Sequence, residues 1–361
     1  MKNSIGSSVI LTLFGESHGE EIGVVLDGMA PGIEVNLEAI EEALSKRRPQ
    51  GPTDTARREA DHFRIVSGVF NGHTTGTPIC ILIPNENTRS QDYEKSAGLA
   101  RPGHADYAAH VKYAGFEDYR GGGHFSGRIT AGIVAAGAIV TQALKAKGIR
   151  IGTHILSCGD ISDRAFDNFE ADFNELEKKD FPVLEPVEQQ MKDYIISAKH
   201  ELDSVGGRIQ TAITGLPAGV GEPWFDSLEG VLSRAVFAIG GIKGIEFGAG
   251  FAFAGMKGSQ ANDSFFNENG SIRTRTNNNG GINGGISNGM PIVFNCAVKP
   301  TPSISRPQDT VDLSTGQDAR LNLVGRHDPA IIRRICIVIS SITALVICDE
   351  MAKKFGTDWL R

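Results

Sequence analysis

The stretch RITAGIVAAGAIVTQALKAK, residues 128–147, carries apolar side chains almost all the way round a helix. A helix with no polar face is stable only when other elements cover it on every side. Residues 329–354 pose the same problem, centred on the apolar run 335–348. That run holds 14 residues and includes Ser340, Ser341 and Thr343. A bilayer needs roughly 20 apolar residues in a row, so a second core helix is expected, not a membrane span. Pro329 is expected in its first turn, where a missing N–H costs little. Two buried helices demand layers outside them, and strand-like stretches supply candidates at 9–14, 22–26, 63–70, 78–83, 208–213 and 291–298. They come in pairs with helices between the groups, which reads as mixed α/β or α+β.

Further helices are expected at 37–46, capped by Asn36, and at 104–114 and 227–238. Asn71-Gly72 marks a turn. Residues 157–194 turn acidic, with Phe166, Phe169 and Phe173 weakly spaced, and read as a peripheral excursion. Residues 277–289, NNNGGINGGISNG, are expected to lack regular structure. No fixed-period repeat or low-complexity linker divides the chain, so residues 1–361 read as one domain.

The chain has 361 residues, 40% hydrophobic and 22% charged, with a net charge of −7. Those values suit a soluble globular protein and argue against nucleic acid as a partner. The apolar run 9–14 is too short for a secretory signal. The five cysteines, Cys80, Cys158, Cys296, Cys336 and Cys348, are scattered and mostly apolar in context. They read as reduced thiols of a cytoplasmic protein. Glycine is abundant at 44 residues, which implies many loops with special backbone needs. Arginines pool at 47–48, 57–58, 120 and 128, 273 and 275, and 333–334, as in a binder of a small polyanion or as ordinary surface ion pairs.

Five motifs carry the chemistry. FGESHG, residues 14–19, contains G-x-S-x-G, the pattern of a nucleophile elbow. An elbow needs a helix after the turn, whereas a strand-like segment follows here. Ser17 and His18 are adjacent, and neighbours on an extended chain face opposite ways, so His18 is not expected to serve as base to Ser17. A plain turn, or a histidine presented for acid–base work, remain. RPGHAD, residues 101–106, offers His-x-Asp. The other histidines are too dispersed to complete a metal set, and a helix start capped by His104 or Asp106 is the alternative. RGGGHFSGR, residues 120–128, places three glycines before the buried helix, either to cradle an anion or to turn a corner. KPTPS, residues 299–303, forms a stiff polar edge. In GRHDP, residues 325–329, Asp328 precedes Arg334 by less than two turns; ion pair and proton transfer both fit.

Taken together with RSQDY (89–93), NDSF (262–265) and GGINGGISNGMPI (280–292), these motifs closely resemble the chorismate synthase family, in order and across essentially the whole chain outside 157–194. The resemblance implies an α+β fold, a β-α-β sandwich with helices between antiparallel sheets, assembled as a homotetramer. It implies anti-1,4-elimination of phosphate from 5-enolpyruvylshikimate 3-phosphate to give chorismate, the last step of the shikimate pathway. Reduced FMN is required without net redox change. By position, His18 matches a histidine that protonates the leaving phosphate. His104 matches one beside the flavin N1–C2=O edge, and Asp328 the carboxylate near N5 that helps it take the C6 proton. Ser17 and Ser126 match serines of a proton relay. Arg47, Arg48, Arg128 and Arg334 would hold substrate anions. His124, Phe125, Ser126, Gly240, Gly241, Gly284, Lys299, Pro300, Thr301, Pro302, Ser303 and Arg326 fall on flavin-contacting stretches. No metal is implied.

Two departures stand out. Many members carry Arg-Ser where this chain has His124-Phe125, and an arginine where it has Thr53; Arg57 or Arg58 could supply the latter contact. Some fungal members reduce flavin themselves with NADPH. No added reductase domain is visible here, so an external flavin reductase or other reductant is expected. Two other readings compete: a flavin- or nucleotide-binding module without catalysis, and a metal-assisted hydrolase.

Overall fold

Two antiparallel five-stranded sheets flank a layer of helices in the computed structural model, which describes residues 2–55, 59–87, 98–323 and 327–361. The first sheet contains β1 (Ser4–Ile5), β2 (Ile10–Gly15), β3 (Glu21–Asp27), β4 (Arg64–Ser67) and β5 (Ile79–Pro84), in the order β1-β2-β3-β5-β4. β5 shows why it forms: Ile79, Ile81 and Ile83 point inward and are fully buried, while alternate residues are half-buried. Asn71 and Gly72, both at positive φ, turn a short ribbon between β4 and β5.

Helices α1 (Leu37–Arg47), α2 (Asp106–Tyr113) and α3 (Thr130–Ala146) follow. Asn36 caps α1 by accepting from the Ala39 N–H at 3.0 Å. Neither His104 nor Asp106 caps α2; Ala105 holds that position, and the Asp106 carboxylate turns back to Arg101. The chain continues through β6 (Arg150–Cys158), β7 (Ile161–Ser162), α4 (Phe169–Leu176), α5 (Glu188–His200), β8 (Gly207–Thr214), α6 (Leu228–Phe237), β9 (Ile242–Phe247), β10 (Ile292–Val298) and α7 (Ile332–Phe355). The second sheet runs β9-β10-β8-β6-β7.

α3 packs on β3 and β5, α7 packs on β6 and β8, and the two helices pack on each other. The apolar windows of the two helices are 72% and 89% covered by protein. Small residues let α3 be squeezed from both sides. A Cβ on Gly132 would stand 3.2 Å from the Val24 side chain, and one on Gly137 only 2.4 Å from Ser341. The fold is thus the expected β-α-β sandwich.

Two sequence expectations need correction. α7 starts at Ile332, three residues after Pro329. Asp328 is tied to Arg334, and the Pro329 carbonyl accepts from the Val205 N–H, so this segment is spent on other contacts before the first turn. Residues 277–289 are not wholly irregular: Ile282–Asn283 pairs with Ile286–Ser287 across Gly284 and Gly285, both at positive φ. That is a two-residue hairpin, and glycines favour it.

The excursion is pinned to the second sheet. The Phe166, Phe169 and Phe173 rings cluster, and Phe173 lies over Gly152 of β6. Beneath them His154 Nδ1 lies 3.1 Å from Asp163 Oδ2, both side chains fully buried. Asp163 also accepts the N–H groups of Arg164, Leu184 and Glu185. At the opposite end of the chain, Asp349 of α7 accepts three consecutive N–H groups, from Ser7, Ser8 and Val9, at 2.7–3.1 Å.

Candidate active site

The end of α1, the loop before α2, the glycine loop and the starts of α3, β9 and α7 surround a cavity of about 780 Å3. The glycine loop organises it. Gly121, Gly122 and Gly123 have φ of 60°, 90° and 52°, a run that side chains would strain. Their bareness also makes room for histidines on either side. A Cβ on Gly121 would stand 2.3 Å from the His18 ring, and one on Gly122 3.1 Å from the His104 ring. Gly123 accepts the Ser17 N–H at 3.1 Å, joining this loop to the β2–β3 turn.

That turn revises one reading. Ser17 Oγ lies 3.1 Å from His18 Nδ1. The backbone at 17–18 is a turn, not an extended strand, so neighbouring side chains converge. The segment after it is β3, so the hairpin lacks the helix an elbow requires. Ser17 is fully buried and His18 nearly so, behind Gly121 and not on the cavity surface.

His104 lines the cavity, with Nδ1 2.6 Å from Asp106 Oδ1. Arg101 grips Asp106 with Nε and Nη2, each at 2.7 Å. Burial works against the Asp106 charge, but the hydrogen bonds from Arg101 and His104 outweigh it and hold its carboxyl well below the ordinary range. His124 also lines the wall, and its Nδ1 donates to the Gly15 carbonyl at 2.8 Å. In this chain the departure at 124 therefore braces the loop against β2. Phe125 meets Tyr113 edge-on. Ser126 accepts from the Arg128 N–H, capping the turn that leads into α3.

Arg47 and Arg128 both pair with Asp61, a residue at φ 54° with a fully buried side chain. Arg128 further binds Asn85 Oδ1 and the Pro84 carbonyl. Burial lowers Arg47 to about 10, against the pull of Asp61, so it stays cationic at neutral pH. Arg334 pairs through Nη1 with both oxygens of Asp328, at 2.9 and 2.8 Å, and Asp328 also accepts the Thr55 N–H. Thr53 itself is buried.

Gly240, Gly241, Lys243, Lys299, Pro300, Thr301, Pro302 and Ser303 also line the cavity. Lys299 Nζ donates to the Gly103 carbonyl, and burial with nearby Lys243 lowers its pKa. Among the described residues expected at the site, Arg48 and Gly284 do not line the cavity, in addition to Ser17 and His18. Arg48 points away to Glu41, because consecutive positions at a helix end diverge. Gly284 sits in its separate hairpin. Arg326 lies outside the described residues, as do Arg57, Arg58 and the segment 89–93.

Arg101, Asp106, Asp61, Lys243 and His327 join the site without having been assigned a role from sequence. Arg101, Asp106 and His327 lay inside the noted motifs; Asp61 and Lys243 carried no local signal. Six cations, Arg47, Arg101, Arg128, Lys243, Lys299 and Arg334, face three carboxylates, Glu59, Asp61 and Asp328, among the described lining residues. Three buried polar atoms on the wall lack partners among the described residues: Arg47 Nε, Thr301 Oγ1 and His327 Nε2. Buried donors and acceptors are costly to leave unpaired. Phe237, Ile239, Ile331, Ile335 and Val338 add an apolar wall. The residues therefore fit a multiply charged anion beside a flat heteroaromatic group. Burial lowers the His327 pKa, helped by Arg101 and opposed by Asp328, so its imidazole is neutral at physiological pH.

The chain is similar to known proteins over nearly its whole length. The family model described as chorismate synthase matches residues 9–352. A chorismate synthase of Methanocella arvoryzae is 45% identical over 354 residues, covering 97% of this chain and 94% of that protein. One of Lachnoclostridium phytofermentans is 46% identical over 355 residues, covering 96% and 94%. A solved crystal structure of chorismate synthase superposes with a TM-score of 0.77 at 28% identity, covering 98% of this chain and 94% of that one. With the family model spanning residues 9–352 and relatives this similar over nearly the full length, the chain belongs to the chorismate synthase family.

Proposed function

We propose that this chain forms chorismate and phosphate from 5-enolpyruvylshikimate 3-phosphate by anti-1,4-elimination, with reduced FMN bound in the same cavity. The observation that carries the reading is the cation-rich wall with its partnerless buried polar atoms. The substrate has two carboxylates and a phosphate, and arginine is suited to both. Arg47, with Nε unpaired, and Arg334, with Nη2 unpaired among the described residues, offer direct contacts. Arg128 is committed to Asp61, Asn85 and Pro84, so its part is to hold Asp61 and sustain the positive potential.

Reduced FMN, when bound, supplies an electron-rich ring that the elimination requires without net redox change. Thr301, His327, Lys299 and the Gly240-Gly241 backbone are the residues we assign to holding it, with His124 and Phe125 shaping the wall. His18 supplies the proton taken up by the departing phosphate, whose second pKa is about 6. Gly121, on the cavity wall, lies against that ring. Ser17 orients His18, Asp328 is the carboxylate assigned to the C6 proton, and Ser126 joins the relay. His104 offsets negative charge on the cofactor. The protein would work in the cytoplasm as a homotetramer, fed by an external reductant.

The test is anaerobic phosphate release from the enolpyruvyl substrate. Turnover with dithionite-reduced FMN, none with oxidised FMN, and indifference to EDTA are expected. Release that needs a metal and ignores FMN would overturn the reading in favour of a hydrolase. Flavin binding without turnover would leave a binding module.

A further inference from the structure

We propose that Asp106 is a positioning residue that fixes the tautomer of His104, holding a proton on Nδ1 and leaving Nε2 for the ligand side of the cavity. The inference builds on the function proposed above, which assigns His104 to the site but says nothing of what orients its ring.

The geometry leaves one consistent proton assignment. Asp106 accepts four contacts: the Arg101 N–H at 2.9 Å, Arg101 Nε at 2.7 Å, Arg101 Nη2 at 2.7 Å and His104 Nδ1 at 2.6 Å. Two acceptors do not approach to 2.6 Å without a proton between them. Arg101 keeps the carboxylate ionised, so the proton belongs to the imidazole. Arg101 Nη2 also stands 3.1 Å from Nδ1 with one of its two N–H groups given to Oδ1, but the 2.6 Å contact between Nδ1 and Oδ1 is the shorter and needs the proton on Nδ1, so Nδ1 cannot be the acceptor for the other. With Nδ1–H committed, Nε2 is the atom free to accept from a ligand, or to donate to one when the ring is cationic. It lies beside Gly122, 3.3 Å from where a Cβ would stand, so the bare backbone leaves that edge uncovered. Among the described residues, the other charged and titratable groups nearby are Lys299, held at the Gly103 carbonyl, and His327, which feels Arg101. Neither contacts Nδ1.

An asparagine at 106 should invert this arrangement. Oδ2 receives two Arg101 donors, so the amide oxygen takes that place. The amide N–H2 then faces Nδ1 and forces it to accept, which moves the ring proton to Nε2.

The experiment is a solid-state 15N spectrum of full-length protein labelled at histidine, with the His104 signals assigned by their loss in His104→Gln. Wild type is expected to show Nδ1–H, and Asp106→Asn to show Nε2–H. Turnover of Asp106→Asn should fall roughly 10²-fold, with KM and oxidised-FMN affinity within about threefold. Asp106→Glu should recover the Nδ1–H signal and part of the activity. A wild-type spectrum with Nε2–H and a bare Nδ1, or no change in the asparagine variant, overturns the proposal. The wild-type spectrum decides it even if Asp106→Asn fails to fold. Because the spectrum is independent of turnover, absent chorismate formation would sink the function without touching this inference.

Discussion

His104–Asp106 and His154–Asp163 are the same chemical pair in two settings. In each, imidazole Nδ1 faces a carboxylate held by additional donors. The first sits on the cavity wall with its other nitrogen beside a bare glycine. The second is sealed between β6 and the phenylalanine cluster, with Nε2 toward Gln210. An imidazole open on one side can exchange protons with a ligand. One closed on all sides can only stabilise the layer around it. Burial and neighbours, not residue type, decide whether a histidine can reach a ligand.

The largest expected contrast is kinetic. His104→Ala should lower kcat about 10²- to 10⁴-fold while oxidised FMN still binds, measured by anaerobic turnover and fluorescence titration. His154→Ala should leave turnover per folded molecule unchanged. An equal kinetic loss in both would erase the distinction.

Next comes stability. His154→Ala leaves the Asp163 carboxylate buried beside a void, and should cost about 3–5 kcal/mol in urea denaturation. His104→Ala should cost far less, since Arg101 still neutralises Asp106.

A smaller kinetic effect tests the glycine loop. Gly121→Ala drives a methyl into the His18 ring at a residue already at φ 60°. Displacing that ring should reduce turnover about ten- to a hundredfold without loss of the fold. A fully active Gly121→Ala variant would remove His18 from the chemistry.

The smallest effect is on acid stability. Burial opposes the Asp163 charge, but hydrogen bonds from His154 and two backbone N–H groups win, and its carboxyl is held below the ordinary range. Its unfolded pKa is about 3.9. The stabilisation is therefore complete above that value and is lost as pH falls through it toward the lower folded value. Asp163→Asn should flatten the fall in denaturation midpoint below about pH 4.

Much of the fold was legible because the two core helices declare themselves: residues that need cover on every side dictate layers outside them. Boundaries were less legible. Pro329 looked like a helix start, but the Asp328–Arg334 pair holds the chain out of the first turn. The hairpin within 277–289 has only two residues per strand, too few for periodicity to register. In the site, motif residues were visible and their supports were not. Arg47 and Arg48 are adjacent, and only the helix phase says which one faces inward. Asp61 earns its place through a buried, left-handed backbone position, and Lys243 through where β9 begins; neither shows in local sequence. The rule that extended neighbours diverge misled at Ser17 and His18 because the chain turns there.

Asp349 draws its partners from residues 340–342 positions away in the chain. The turn between β1 and β2 gains this anchor, and the second sheet its cover over β6 and β8, only when α7 docks. Closure of this molecule is a late, long-range event, and a chain truncated before α7 would leave the covered face of β6 and β8 open to aggregation.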